Sequence, residues 1–133
     1  MTIEATLTSK NGMITTLSNG RHIWNADVAE ALGSADRAPD PHDLLDSSLA
    51  ACTALTLELY ARRRKMPVQS IRVLIDHVEG KNEKGESRYQ LKRRILIEGD
   101  LSDEERARLL EIANKCPVHK ILSGELDVET ELV

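Results

Sequence analysis

Polar and apolar side chains alternate at the start of the chain. Ile3, Ala5 and Leu7 are interleaved with Glu4, Thr6 and Thr8. A period of two predicts a strand. Asn11-Gly12 and Asn19-Gly20 then separate that strand from residues 13–17 and 21–25. Asn-Gly favours the positive φ angles of a two-residue hairpin turn, so a three-stranded antiparallel meander is predicted. Residues 26–40, with Gly33 and Pro39, read as a polar loop.

The pattern changes near Asp40. Asp40 suits an N-cap, Pro41 the first helical position, and Asp43 the positive end of a helix dipole. Met66-Pro67 marks a stop, and Arg62, Arg63, Arg64 and Lys65 suit a C-terminal end. Residues 47–57 carry no charge. A helix apolar on every side belongs at the centre of a fold. About 25 residues of helix reach roughly 37 Å. One small domain would struggle to cover that length, which points to help from a second subunit.

Ile71, Val73 and Ile75 alternate as a further strand. Tyr89, Leu91, Arg93, Ile95 and Ile97 alternate as its hairpin partner across a polar turn at residues 80–85. Ser102 and Glu105 have capping-box spacing and open a second helix. Its apolar stripe is Leu109, Ile112, Ala113 and Cys116. Pro117 breaks that helix and suits the start of a short one through Leu122. Leu126, Val128, Thr130 and Leu132 alternate as a last strand. The order is βββ-α-ββ-α-β. Its grouped strands and helices predict an α+β fold, read as one domain over residues 1–133.

Composition narrows the functions open to such a fold. The chain has 133 residues, 41% apolar and 30% charged, which fits a globular protein with a sizeable core. The net charge is −4, with no Phe, one Trp and two Tyr. That is a poor basis for general nucleic-acid binding, which uses a basic face and stacking platforms. No apolar run approaches the roughly 20 residues of a membrane span. The first residues lack the basic and apolar regions of a secretion signal, so the expected location is cytoplasmic.

Cys52 and Cys116 are the two cysteines, 64 positions apart. In a reducing compartment a permanent disulfide is not expected. They are either buried thiols or a pair that meets in space for redox work. Cys52 lies mid-helix among Leu45, Leu49, Leu55 and Leu59. A thiol in such surroundings stays protonated and inert unless a cation or hydrogen-bond donor stabilises the thiolate. Cys116 either closes the apolar face of the second helix or begins the next one. In the second case free backbone N–H groups and His119 would favour its thiolate. Of His22, His42, His77 and His119, only His119 has ligand-like spacing to a cysteine, and no second pair completes a metal set. His22 and His77 read as surface or hairpin side chains. The chain has no Gly-rich phosphate loop and no nucleophile elbow, and no cofactor is expected.

Two segments resemble the OsmC/Ohr family. One is Pro41-His42-Asp43-Leu44-Leu45 through Ser48-Leu49-Ala50-Ala51-Cys52-Thr53-Ala54; the other is Cys116-Pro117-Val118-His119-Lys120. The resemblance implies an intertwined α+β homodimer with sites at the interface. It also implies thiol-dependent reduction of organic hydroperoxides in oxidative-stress defence. Cys52 would be the peroxidatic thiol and Cys116 the resolving thiol, with a small or protein dithiol as reductant. The family's well-characterised members also use an Arg from the first strands and a Glu ten residues before the first cysteine. Here that place is His42, with Asp43 beside it, and the available early cations are Lys10 and Arg21. The alternative is a dimer of the same fold that binds an apolar ligand or senses thiol oxidation.

Overall fold

The computed structural model describes residues 1–133, the side chain of Asn11 excepted. It divides into two compact units, Met1–Leu45 and Asp46–Val133. Among the described residues are five strands and three α-helices.

The first unit holds an antiparallel meander of β1 (Glu4–Leu7), β2 (Thr15–Ser18) and β3 (Ile23–Ala26), in that order. Leu7 pairs with Thr15 and Ser18 with Ile23. The meander is as predicted, but its turns are wider than two residues. A 3-10 turn, Ser9–Asn11, fills the first connection and ends at Gly12 with φ +80°. In the second, the Asn19 side-chain oxygen accepts from the N–H groups of Arg21 and His22 at 2.9 and 2.7 Å. An Asn side chain that mimics a backbone turn thus closes a four-residue loop. The polar segment after β3 is organised around Asp27. Its carboxylate accepts from the N–H groups of Val28 and Arg37 and from the Ser34 hydroxyl.

Helix α1 (Pro41–Arg63) begins as its sequence dictates. Asp40 accepts from the Asp43 N–H at 2.8 Å, and Asp43 accepts from the Asp40 N–H at 3.2 Å. This reciprocal cap ties up two backbone donors that a helix start leaves without partners. At the other end Arg62 pairs with Glu58 at 2.8 Å and Arg64 lies over the Tyr60 ring.

In the second unit α1 buries Leu49, Thr53, Leu57 and Ala61, a stripe spaced by four residues. Only that stripe is buried. Leu55 and Leu59, on the other side of the helix, are 63% and 58% exposed. The charge-free segment is therefore half covered within one chain rather than enclosed.

Strands β4 (Val68–Lys81) and β5 (Ser87–Gly99) form a long antiparallel hairpin. Asn82 organises its turn by accepting from the N–H groups of Lys84 and Glu86. One face carries the cross-strand pairs Ile71–Ile97, Val73–Ile95, Ile75–Arg93, His77–Leu91 and Glu79–Tyr89. That face is apolar near Val68 and turns polar towards the hairpin tip. Helix α2 (Asp103–Ala113) opens on the predicted capping box of Ser102 and Glu105. Leu57, Leu109, Ile112 and Ala113 form the core, with Ile71, Ile95 and Ile97 packed against it. Helix α3 (Pro117–Ser123) begins at Pro117 as expected, with Cys116 as its N-cap.

The predicted last strand does not form: among the described residues no strand follows α3. Leu126, Val128 and Leu132 are 61%, 86% and 101% exposed. Alternation alone does not make a strand where no neighbouring strand supplies backbone partners.

Candidate active site

Arg93 and His77, on the face of the hairpin that carries Ile71, Ile95 and Ile97, interrupt its apolar run, and both carry chemistry. The first is Arg93 on β5. Its guanidinium donates to the Thr53 hydroxyl on α1 at 3.0 Å and to the Asn114 carbonyl oxygen at the end of α2, also at 3.0 Å. It also reaches His119 Nδ1 on α3 at 3.1 Å. Arginine is only a donor, so this His119 nitrogen is the acceptor and the ring proton resides on Nε2. One side chain thus joins all three helices. The Thr53 hydroxyl in turn donates a hydrogen bond to the Leu49 carbonyl at 2.7 Å.

Cys52 is the residue before Thr53 and is half-buried; Cys116 is fully buried, and both are free thiols. The two thiols act on each other, and their acidities shift in opposite directions. Burial pushes the Cys52 thiol up. Hydrogen bonds from the Cys116 thiol, the Val118 N–H and the Thr56 hydroxyl outweigh it, with the charge of Arg93 adding to them, and the net shift is down. The Thr56 oxygen lies 3.9 Å from the Cys52 sulfur. Cys116 is raised, first by burial and then by its hydrogen bond to Cys52. The N–H groups of His119 and Val118 oppose that shift without reversing it. Cys116 does cap α3, with the His119 N–H 3.5 Å from its sulfur. The cap does not make it the thiolate of the pair. Of the two, Cys52 is the more readily ionised and Cys116 the less so.

A charge that lowers the Cys52 thiol comes from Arg93 on β5, a residue that the resemblance did not suggest. Lys10 and Arg21 are exposed in the first unit. The Asp43 carboxylate serves the helix cap, and His42 beside it is exposed. Arg93 was legible as the one charged residue on the apolar face of its strand.

The second break is His77. It is a hairpin side chain, as predicted, and it has partners: its Nδ1 bonds the Asp46 carboxylate on α1, and its ring stacks on Tyr89 with centroids 5.0 Å apart. The Tyr89 hydroxyl donates to the other Asp46 oxygen at 2.7 Å. Asp46, six residues before Cys52, had no partner predicted from the sequence. Its signal was again an inward polar position, His77, on an alternating strand.

An α+β fold with a long central helix bearing one thiol, and a second thiol at a Pro-started helix, defines a small class of cysteine-pair proteins. The family model of OsmC-like proteins matches residues 33–131, and the chain belongs to that family. Solved structures agree on the fold. An OsmC-like protein from Mycoplasma pneumoniae is 20% identical, with a TM-score of 0.77 over 92% of this chain and 86% of that one. An organic hydroperoxide resistance protein from Elizabethkingia anophelis is 25% identical, with a TM-score of 0.71 over 93% and 89%. The organic hydroperoxide resistance protein OhrB of Bacillus subtilis is 22% identical, with a TM-score of 0.64 over 96% and 93%. A comparison with curated proteins found no match. No helix among the described residues is long and apolar enough to cross a membrane.

Proposed function

We propose that the protein reduces organic hydroperoxides with Cys52 as the attacking thiol and Cys116 as the resolving one. The observation that carries this reading is the setting of two free thiols: Cys52 lies 3.9 Å from the Thr56 hydroxyl and beside Thr53, which Arg93 holds, while buried Cys116 caps α3; the shift of Cys52 down and Cys116 up agrees with it. A thiolate is the nucleophile in peroxide reduction. Its sulfur attacks the terminal peroxide oxygen, the S–O bond forms and the O–O bond breaks. The alkoxide leaves as an alcohol after taking up the proton that the thiol lost. Cys116 then attacks the sulfenic acid and water leaves. An external dithiol returns both cysteines to thiols and is itself oxidised to a disulfide. Family membership and the hydroperoxide-resistance names of two structural neighbours support the same reading.

The working form is a homodimer in the cytoplasm. Its support is the exposed apolar side of α1, with Leu55 and Leu59 open, together with Ile23 at 74% exposure on β3. Such surface is costly to leave in water and marks an interface. Light scattering at micromolar concentration should give twice the chain mass; a stable folded monomer would refute the dimer.

The test of the activity is consumption of cumene hydroperoxide with dithiothreitol as reductant. The parent should turn over many equivalents, and Cys52→Ser should turn over none while keeping its circular dichroism. A Cys52→Ser variant as fast as the parent would exclude Cys52 as the attacking residue. A parent that fails to turn over would favour the ligand-binding or sensor reading.

A further inference from the structure

Arg93 is bonded to Thr53, the residue after Cys52 on α1, and it also faces a second feature. An open cleft of about 280 Å³ lies against it, with Leu49, Leu91 and Leu122 as apolar walls, Arg88 and Arg93 as cationic ones and the His119 ring beside them. No carboxylate lines it. Tyr89 also borders the cleft, but the carboxylate it meets, Asp46, is bonded through both oxygens to Tyr89 and His77. Among the described residues the Arg88 side chain makes no hydrogen bond or ion pair. The acceptors that hold Arg93 are a hydroxyl, an amide oxygen and a neutral imidazole. They orient its charge without neutralising it. A charge held away from bulk water is normally matched by an opposite one.

We propose that this cleft binds a small organic carboxylate with an apolar body, and that its occupation lowers the reactivity of Cys52 through Arg93. Guanidinium groups match a carboxylate in shape and charge, and the leucine walls suit a short apolar body. The volume, just under the usual range of roughly 300–1,000 Å³ for ligand clefts, limits that body to a small one. An anion against Arg93 offsets the positive field that favours the Cys52 thiolate. By linkage, the thiolate weakens the anion in return. The proposal requires only that Cys52 titrates and not that the protein turns over peroxide.

Benzoate is the probe and benzyl alcohol its neutral counterpart. Binding is followed by ligand-observed NMR on the full chain, and Cys52 reactivity by iodoacetamide alkylation at pH 7 with ionic strength held constant by chloride. Benzoate should bind saturably and benzyl alcohol about tenfold more weakly, since only the carboxylate engages the guanidinium groups. Saturating benzoate should slow alkylation. Arg88→Gln should weaken benzoate about tenfold, and Leu122→Asp, which adds a carboxylate to the wall, should abolish its binding with Arg88 intact. Equal binding of benzoate and benzyl alcohol would overturn the proposal. So would undiminished affinity in both variants, or alkylation that ignores bound benzoate. Cumene hydroperoxide turnover is assayed separately on the same samples. Its absence would remove the peroxidase reading and leave the binding result standing.

Discussion

Arg93 donates to the hydroxyl of Thr53 at 3.0 Å, and Thr53 directly follows Cys52 on α1. A β5 side chain therefore adds a positive charge beside a helix thiol, the last of the influences that lower Cys52. Replacing Arg93 by Gln keeps some hydrogen bonding and removes the charge. Alkylation of Cys52 at pH 7 should slow about three- to tenfold, the scale of one partly solvated charge acting on a thiol. Its pH profile should move to higher pH, and Arg93→Lys should recover part of the rate. Lys10→Ala and Arg21→Ala provide the contrast. If either slowed alkylation as much as Arg93→Gln, the activating charge would lie on the meander after all.

Burial, and then its hydrogen bond to Cys52, push the Cys116 thiol up, so it is the slower of the two to ionise and to react with peroxide directly. One equivalent of cumene hydroperoxide should give a Cys52–Cys116 disulfide, read as a loss of two hydrogens in intact-mass spectra. In Cys116→Ser the sulfenic acid on Cys52 should persist, and excess peroxide should carry it to the sulfinic form. Two unmodified thiols after prolonged exposure would refute both cysteine assignments.

The fold was legible wherever periodicity and caps agreed. The α1 start at Pro41, the Ser102–Glu105 box and the β4–β5 hairpin all appear where the sequence places them. Two local signals misled for physical reasons. Asn19 closes its turn through its side chain, so Asn-Gly correctly marks a hairpin there but not a two-residue one. The alternation of Leu126, Val128 and Leu132 has no strand beside it to complete the backbone bonds. The family was legible from the sequence contexts of the two cysteines. Their electrostatic setting was not, because Arg93 and His77 meet their partners across long stretches of chain. Both nonetheless sat on inward positions of alternating strands, where a charged or polar side chain calls for a buried partner.

Gly99 ends β5 with φ +152°, and a Cβ there would lie 2.3 Å from the Pro67 carbonyl oxygen. The obstacle is backbone and cannot rotate away. Gly99→Ala should cost about 1–3 kcal/mol, because both the dihedral and the contact are strained. Urea unfolding measures the loss. A Gly85→Ala control changes another positive-φ glycine, one with open space around its Cβ position, so its loss should be smaller. Equal losses in the two variants would show that the Pro67 contact carries no cost.

Asp27 makes the stability of the first unit depend on pH. It is 2% exposed. Its carboxylate is held below the usual carboxylate range, first by the Ser34 hydroxyl and then by the Arg37 N–H. Burial opposes them, and the Val28 N–H and the Arg37 charge add to the lowering. Because the folded state prefers the ionised form, this stabilisation is fully present above the unfolded value of about 3.9. It is lost as pH falls through the lower, folded value. Asp27→Asn presents an amide N–H₂ group where one carboxylate oxygen accepted, so it sets donor against donor. The variant should melt below the parent at pH 7. Between about pH 4.5 and pH 2.5 the parent should lose stability faster than the variant, and the gap between them should close. Thermal melts followed by circular dichroism across that range decide the matter. A gap that stayed constant with pH would mean that Asp27 acts through its shape and hydrogen bonds, not through its charge.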